Sequence, residues 1–339
     1  MSQSDTYLVV VGSGSIAKRH IGNLKKLFTS ARVVCVSASG RVLGSADVGE
    51  GVLCLPSIAR ALAEQPAFAI VASPAPWHIE HSLQFLEAGV PVLIEKPIAD
   101  NLQRLSGLHD RLSVYSPVID VAYNLRYMSS AVAFKAMIEE GQVGALRSVS
   151  IDVGQYLPDW RPASDYRKNV SARRELGGGV LLELSHELDY LGWLFGRFKT
   201  VYCSARNSGA LEINVEDTVD ALLVRADGLV ANVHMDFLQR APVRTCKVVG
   251  QAGTLVWDIL NNRVSLHRAR NEQTVLFDDP LYDRNDMYLD QLRHFAKVAS
   301  RTAQPAVGIA DALATLHLIE AMKRSAAAGQ VVPVGDIKA

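Results

Sequence analysis

The sequence predicts a doubly wound α/β domain followed by an α+β domain with a large, mostly antiparallel open sheet. Two patterns carry this prediction. Through about residue 120, short apolar runs alternate with helix-period segments, the order of a parallel sheet with crossover helices. Beyond Val118 the runs are alternating or β-branched, and tight turns such as Ala226-Asp227-Gly228 join them, as in antiparallel hairpins.

The first run, Tyr7–Val11, lacks polar alternation, as expected of a strand buried on both faces. It leads straight into Gly12-Ser13-Gly14-Ser15-Ile16-Ala17. Ile16, Ile21, Leu24, Leu27 and Phe28 then mark a helix, and Arg32–Val36 is the next strand. Strand, glycine turn, helix and strand within about thirty residues is the context that gives a GxGxxA match its meaning. Gly12 permits the tight turn, Gly14 lets the main chain approach a pyrophosphate, and Ala17 lets helix and strand pack closely. Free N–H groups around Ser13, Ser15 and Ile16 favour an anion at the helix start. The expectation is a Rossmann-type dinucleotide site; the alternative is a bare turn before a helix.

Ala67–Ala72 reads as a strand, followed by Ser73-Pro74-Ala75-Pro76-Trp77-His78 and a helix from about Ile79 to Ala88. Val90–Ile94 is another strand and ends in Glu95-Lys96-Pro97; Gly89 suits the helix stop before it and Pro97 the next helix start. Ligands of open α/β sheets bind outside the carboxyl ends of strands. The ends at 12–16, 72–78 and 95–97 should therefore line one crevice, with Ala72, Ser73, His78, Glu95 and Lys96 beside the cofactor. Lys96 is the candidate for contact with the reacting carbon, against the plainer reading of Glu95-Lys96 as a solvated pair. The second strand ends Val36-Ser37-Ala38-Ser39-Gly40-Arg41, with no carboxylate where an NAD site usually keeps one. Hydroxyls and a guanidinium suit a 2′-phosphate, so NADP is preferred to NAD, with Ser37 and Arg41 as the contacts. A serine still suits a plain ribose.

In the second half, Ser129–Glu140 is a helix closed by Gly141. Arg147–Tyr156, Thr200–Ala205, Thr218–Arg225, Leu229–Phe237, Thr245–Gly250, Thr254–Ile259 and Val264–Arg268 are strands. Amphipathic helices at about Asp286–Ser300 and Ile309–Ala326 close the chain. Gly177-Gly178-Gly179 leads into a helix whose apolar stripe is Leu181, Leu184, Leu188 and Leu191. The glycines suggest a flexible approach with exposed N–H groups. Glu183, His186 and Tyr190 fall on another face of that helix, and a carboxylate one turn before an imidazole makes an acid–base unit. An ordinary exposed helix face is the competing reading. Between these lies Tyr156-Leu157-Pro158-Asp159-Trp160-Arg161 through Tyr166-Arg167-Lys168 and Arg173-Arg174, a non-periodic stretch with five cations and three aromatic rings. It reads as a binding loop for an anionic or polyhydroxy substrate. Asp159, Asp165 and Glu175 offer the opposite reading, surface pairs that neutralise it.

Composition narrows the classes. The 339 residues carry 35 basic and 35 acidic side chains, and residues 1–120 carry 10 of each, which argues against nucleic acid or an anionic membrane as partner. No run reaches the ~18 apolar residues of a membrane span, and the Tyr7–Val11 run is too short for a signal-peptide core. Cys35, Cys54, Cys203 and Cys246 are scattered without metal-ligand spacing, so buried thiols are expected, no metal site, and a reducing, cytoplasmic setting.

Taken together, GxGxxA at residues 12–17, Glu95-Lys96-Pro97, Tyr123-Asn124-Leu125-Arg126-Tyr127 and the triple-glycine helix with His186 resemble the glucose–fructose oxidoreductase/inositol dehydrogenase/MocA-type (Gfo/Idh/MocA) family over almost the whole chain. The resemblance implies an NAD(P)-dependent oxidoreductase acting on a secondary alcohol or ketone of a sugar, cyclitol or sugar nucleotide. It implies Lys96 as substrate contact near the nicotinamide and His186 as acid–base, with Asn124, Arg126, Tyr156, Trp160, Arg161 and Tyr166 around the substrate. The family usually has an Asp four residues before its His. Glu183 stands only three before His186, so the carboxylate role falls to Glu183, with Asp189 or Tyr166 as substitutes. The Tyr-Leu-Pro-Asp-Trp loop and Glu-Leu-Ser-His helix also resemble a subgroup associated with surface-polysaccharide or nonulosonate-type sugars. The expected organisation is a cofactor domain over 1–120 and a substrate domain over 121–339, whose C-terminal helices are free to pack back on the first. Its open sheet would pair two or four copies. A non-catalytic NAD(P)- and sugar-binding regulator, or a redox-neutral enzyme with tightly held cofactor, are the alternatives.

Overall fold

The computed structural model describes residues 6–335. It divides into two compact units, Met1–Asn124 with Met287–Leu313, and Leu125–Asp286 with Ala314–Ala339.

The first unit is built on a parallel sheet of β1 (Tyr7–Val11), β2 (Arg32–Val36), β3 (Leu53–Leu55), β4 (Phe68–Val71), β5 (Val92–Ile94) and β6 (Ile119–Val121), in the order β3-β2-β1-β4-β5-β6. This is the doubly wound order, with its switch point between β1 and β4. The carboxyl ends are in register, because Val11 pairs with both Val36 and Val71, and Val71 pairs with Ile94. Ser37, Gly12, Ala72 and Glu95 therefore emerge as one row. β1 and β4 are buried along their whole length, which explains their lack of alternation. The helix Asp286–Ala299 completes this unit's core: Leu292, Phe295 and Val298 join Val10, Ile70 and Leu93, and Phe295 meets Phe68 edge-on at 5.3 Å. Burying a side chain of that size is worth roughly 1.5–3 kcal/mol. Asp120 on β6 accepts N–H groups of Val121, Ala306 and Val307 at 3.0, 3.2 and 2.9 Å, fixing the segment after that helix. Burial pushes its carboxyl up to about 6.

The second unit holds a nine-stranded sheet of β7 (Leu146–Gly154), β8 (Thr200–Arg206), β9 (Thr218–Val224), β10 (Val230–Asp236), β11 (Val243–Gly250), β12 (Thr254–Asp258), β13 (Arg263–His267), β14 (Gln273–Asp278) and β15 (Val332–Pro333). Its order is β14-β13-β12-β11-β7-β10-β9-β8-β15, and the pairings are antiparallel apart from β7 with β10. Helices Ser129–Glu139 and Ser185–Phe195 cover one face around Trp257. Its ring stacks on Phe134 at 5.5 Å, meets Tyr190 edge-on at 5.2 Å, and donates its indole N–H to Ser130 Oγ at 2.8 Å. The alternation of β8, β9 and β10 turns Tyr202, Leu222, Asn232 and His234 to the other face.

The four cysteines are free thiols, and burial pushes Cys35 and Cys203 up to about 12, which makes them inert. Among the described residues no helix is long and apolar enough to cross a membrane, and no cluster of His, Cys, Asp or Glu is fit to hold a metal ion.

Candidate functional site

In the first unit the glycine turn is closed by packing. Gly12 has φ +118°, and a Cβ there would collide with the Ala72 carbonyl, whose carbon lies 2.9 Å from that position. Its N–H donates to Val36 O at 2.8 Å and its carbonyl accepts from Cys35 Sγ at 3.1 Å. Gly14 is the opposite case: it is exposed, and a Cβ there meets nothing within 4 Å. It begins the helix Ser15–Leu27, whose N-terminus has no side-chain cap and no acidic residue in its first turn. Unsatisfied N–H groups at an open helix start, in a sheet's switch point, suit a pyrophosphate. Ser13 and Ile16 flank the opening, both half-buried.

His78, expected to face a cofactor, is instead buried between two loops. Nδ1 lies 2.8 Å from Pro97 O and Nε2 2.6 Å from Ser73 O, so the ring braces the chain after β4 against the chain after β5. Ser73 Oγ in turn meets His81 Nδ1 at 3.0 Å. Glu95 is no solvated partner of the Lys96 side chain. It is 7% exposed, with Oε1 on His20 Nε2 at 2.7 Å and Oε2 on the Lys96 main-chain N–H at 3.1 Å. Lys96 itself is half-buried and Asn124 is buried. Ser37 is half-buried after β2 and lies 3.5 Å from Ser39 across their hydroxyls. Arg41 pairs with Asp47 at 2.8 Å, and the same carboxylate accepts the Gly44 N–H at 3.0 Å. The guanidinium beside Asp47 holds that carboxyl below its ordinary range.

In the second unit the triple glycine is tight, not flexible. Gly177 ends a turn at φ +80°; a Cβ on Gly178 would collide with Val170 O, and one on Gly179, at φ +104°, with the Glu216 carboxylate. The N–H groups expected to be exposed are taken: Gly179 donates to Ser171 O, Val180 to Glu216 O, and Leu181 to Glu216 Oε1. Burial pushes the Glu216 carboxyl up. The helix that follows is also broken. Val180–Glu183 and Ser185–Phe195 are separate helices that meet at Leu184, at φ −95° and ψ 26°, so Glu183, on the first, does not share one continuous face with His186 and Tyr190, on the second. Tyr190 is buried against Trp257. Glu183 accepts from Ser171 Oγ at 2.8 Å, and both Glu183 and His186 are half-buried.

The helix carrying His186 is clamped twice. Arg126, expected at the substrate, grips Asp189 bidentately at 2.9 and 2.7 Å, and both are nearly fully buried. Asp189, the expected substitute for Glu183, is thereby held by Arg126. Arg244 grips Glu187 in the same way at 2.7 and 3.1 Å. Bidentate pairs of this kind fix orientation as well as charge.

The cationic loop is largely neutralised in place. Arg167 meets Asp165 and Glu212, Lys168 meets Asp165, Arg173 meets Glu175, and Arg174 donates to the Asn214 carbonyl. Arg161 is exposed and has no acidic partner among the described residues. Trp160 packs edge-on against Phe237 at 5.3 Å, and Tyr166 OH accepts from the Glu212 N–H at 3.4 Å. Tyr156 carries Arg240 over its ring at 3.5 Å, a contact no local pattern announces.

On the uncovered face of the sheet, His234 lies between Asp220 at 2.7 Å and Asp236 at 2.9 Å. The hydrogen bond to Asp236, reinforced by Asp220, raises its pKa to about 9 from the ordinary 6.5. The folded chain thus holds a proton that the unfolded chain releases near 6.5. This contribution to stability is full below that pH and is lost as pH rises through 9. The urea midpoint should accordingly fall further between about pH 6 and about pH 10 in the native protein than in His234→Gln; parallel curves would remove the cluster from the ledger.

The model of the "Oxidoreductase family, NAD-binding Rossmann fold" matches residues 7–122, and that of the "GFO/IDH/MocA C-terminal domain" matches residues 132–256. The chain is 27% identical to an inositol 2-dehydrogenase of Streptomyces avermitilis over 56% of its own length and 53% of that protein's, little more than half. It is 24% identical to a 1,5-anhydro-D-fructose reductase of Ensifer adhaerens over 96% and 97% of the two chains. Among solved structures, a levoglucosan dehydrogenase in complex with NADH superposes with a TM-score of 0.82 at 20% identity, over 98% of this chain and 100% of the other.

Proposed function

The chain belongs to the Gfo/Idh/MocA oxidoreductase family, and from that premise we propose that it transfers hydride between a nicotinamide dinucleotide and a secondary alcohol or ketone of a sugar, cyclitol or sugar nucleotide. The observation that carries this reading is the glycine turn at the switch point, closed at Gly12 and open at Gly14 before an uncapped helix. Those features fit a dinucleotide: Gly12, Ser13, Gly14, Ser15 and Ile16 would hold the pyrophosphate, and Ala72, Ser73 and Glu95 would shape the floor beside it. The cofactor, once bound, supplies the hydride acceptor or donor. Lys96 donates a hydrogen bond to the reacting oxygen and stabilises its developing negative charge. His186 removes the hydroxyl proton in oxidation and returns it in reduction, with Glu183 as the nearby carboxylate. Tyr156 and Trp160 offer ring faces to a sugar, and Asn124, Arg161 and Tyr166 offer polar contacts. Arg126 serves from behind, by holding the His186 helix. Two or four copies pair through the uncovered sheet face, where Tyr202 and Leu222 are exposed. A cytoplasmic place agrees with four free thiols.

The choice between NAD and NADP turns on Arg41. Its exposed pair with Asp47 is worth only about 0–1 kcal/mol, so a 2′-phosphate can draw the guanidinium away, which favours NADP. The test is the near-ultraviolet absorbance of reduced nicotinamide. Inositol and levoglucosan are offered with NAD+ or NADP+, and 1,5-anhydro-D-fructose with NADH or NADPH. A change with a member of the panel is expected. Arg41→Ala should raise the NADP+ Kd about tenfold while NAD+ stays within about twofold. Equal effects on both would return the ribose to Ser37 and the cofactor to NAD. Binding of the cofactor with no turnover of any polyol or ketose would favour the regulatory alternative.

A further inference from the structure

His20 lies on the buried face of the helix Ser15–Leu27, in the apolar stripe with Ala17, Ile21 and Leu24, and is wholly buried. Its Nε2 reaches Glu95 Oε1 at 2.7 Å across 75 residues of sequence. Its Nδ1 has no partner among the described residues, which places the ring proton on Nε2, since a buried N–H without an acceptor costs more than a bare lone pair. Tyr288 closes the pocket edge-on at 6.3 Å. A carboxylate as buried as Glu95 costs several kcal/mol unless its oxygens are hydrogen-bonded. Its second oxygen takes the Lys96 main-chain N–H. That N–H has just left β5, so a side chain does for it what a neighbouring strand does for the Glu95 N–H, which donates to Val71 O at 2.9 Å.

We infer that His20 is a positioning residue for Lys96. Acting through the Glu95 carboxylate, it fixes the main chain from which the lysine projects to the same helix whose N-terminus faces the pyrophosphate site. This rests on the reading of Lys96 as the substrate-oxygen contact. The spacing between that contact and the cofactor's phosphate site is then set by a buried pair inside one rigid unit, instead of by a loop. Neither residue touches the reacting atoms.

The test compares His20→Phe, which fills the ring volume without a donor, with His20→Gln, whose amide nitrogen takes the place of Nε2. Hydrogen exchange is read on the peptide covering residues 94–99 of the full chain with NADH bound, and turnover with whichever substrate and cofactor of the panel above give the highest wild-type rate. In His20→Phe the Lys96 amide should exchange at least about tenfold faster and kcat should fall about 10–100-fold, while the NADH Kd stays within about threefold. His20→Gln should recover both to within about threefold. Wild-type exchange and kcat in His20→Phe overturn the inference, as does a glutamine variant no better than phenylalanine. If His20→Phe does not fold, His20→Asn, too short to reach Glu95, replaces it with the same expectation. Lys96→Ala runs alongside: if that variant turns over normally, the reading of Lys96 has failed, and the exchange data still decide what His20 does.

Discussion

Lys96→Ala is expected to lower kcat by about 10²–10³-fold while leaving NADH binding within about threefold, measured by steady-state rates and by fluorescence titration. The reason for the split lies in what holds each part. The main chain at Lys96 is fixed through its own N–H to Glu95, and alanine keeps that N–H. The truncation therefore removes the ammonium without loosening the loop. The dinucleotide is proposed to rest on Gly12–Ile16, which the substitution does not reach. On the proposed mechanism, what disappears is a donor to an oxygen that gains negative charge on the way to the transition state. An interaction that strengthens only there shows in kcat and not in ground-state affinity. Normal turnover would remove Lys96 from the mechanism. Loss of NADH binding together with kcat would make it a cofactor contact instead.

How far the sequence reveals this molecule depends on the range of the interaction concerned. β1, β2 and β4 are legible because strands buried on both faces leave continuous apolar runs, and the strands of the second sheet because one-sided burial leaves alternation. β3 and β6 have three residues each, too few for a period, and β14 is a largely exposed edge. At the site, the placement of Gly12, Gly14 and Lys96 is legible because each follows directly from a strand end. Their partners are not: His20 with Glu95 and Arg126 with Asp189 lie 75 and 63 residues apart. A signal for His20 did exist, a histidine placed in the apolar stripe of the first helix. The triple glycine was legible as unusual, yet its cause, the close approach of Val170 and Glu216, belongs to the packed fold alone. The break at Leu184 is of the same kind, since Leu-Leu-Glu-Leu-Ser-His carries no helix breaker and packing overrides local preference.

Gly12→Ala and Gly14→Ala should separate what the turn does for the fold from what it does for the ligand. At Gly12 an L-residue is strained by φ +118°, at a cost of about 1–3 kcal/mol. Its Cβ would also lie 2.9 Å from the Ala72 carbonyl carbon and 3.2 Å from Ser73 N, with the Ala72 oxygen closer still. These are main-chain atoms at the end of a central strand and have no rotamer by which to yield, so β4 must shift at a further cost of about 1–3 kcal/mol. For a unit of this size the sum lowers Tm by roughly 4–24 °C, and NADH binding falls with it because the row of strand ends is displaced. At Gly14 the main chain has φ −71° and the added methyl meets nothing within 4 Å. That variant should keep the wild-type Tm and lose NADH affinity alone, by about tenfold or more, because its methyl occupies the approach to the helix N–H groups. A wild-type Tm in Gly12→Ala would deny that the turn is sterically closed. Unchanged NADH affinity in Gly14→Ala would deny that the open side of the turn is where the dinucleotide sits.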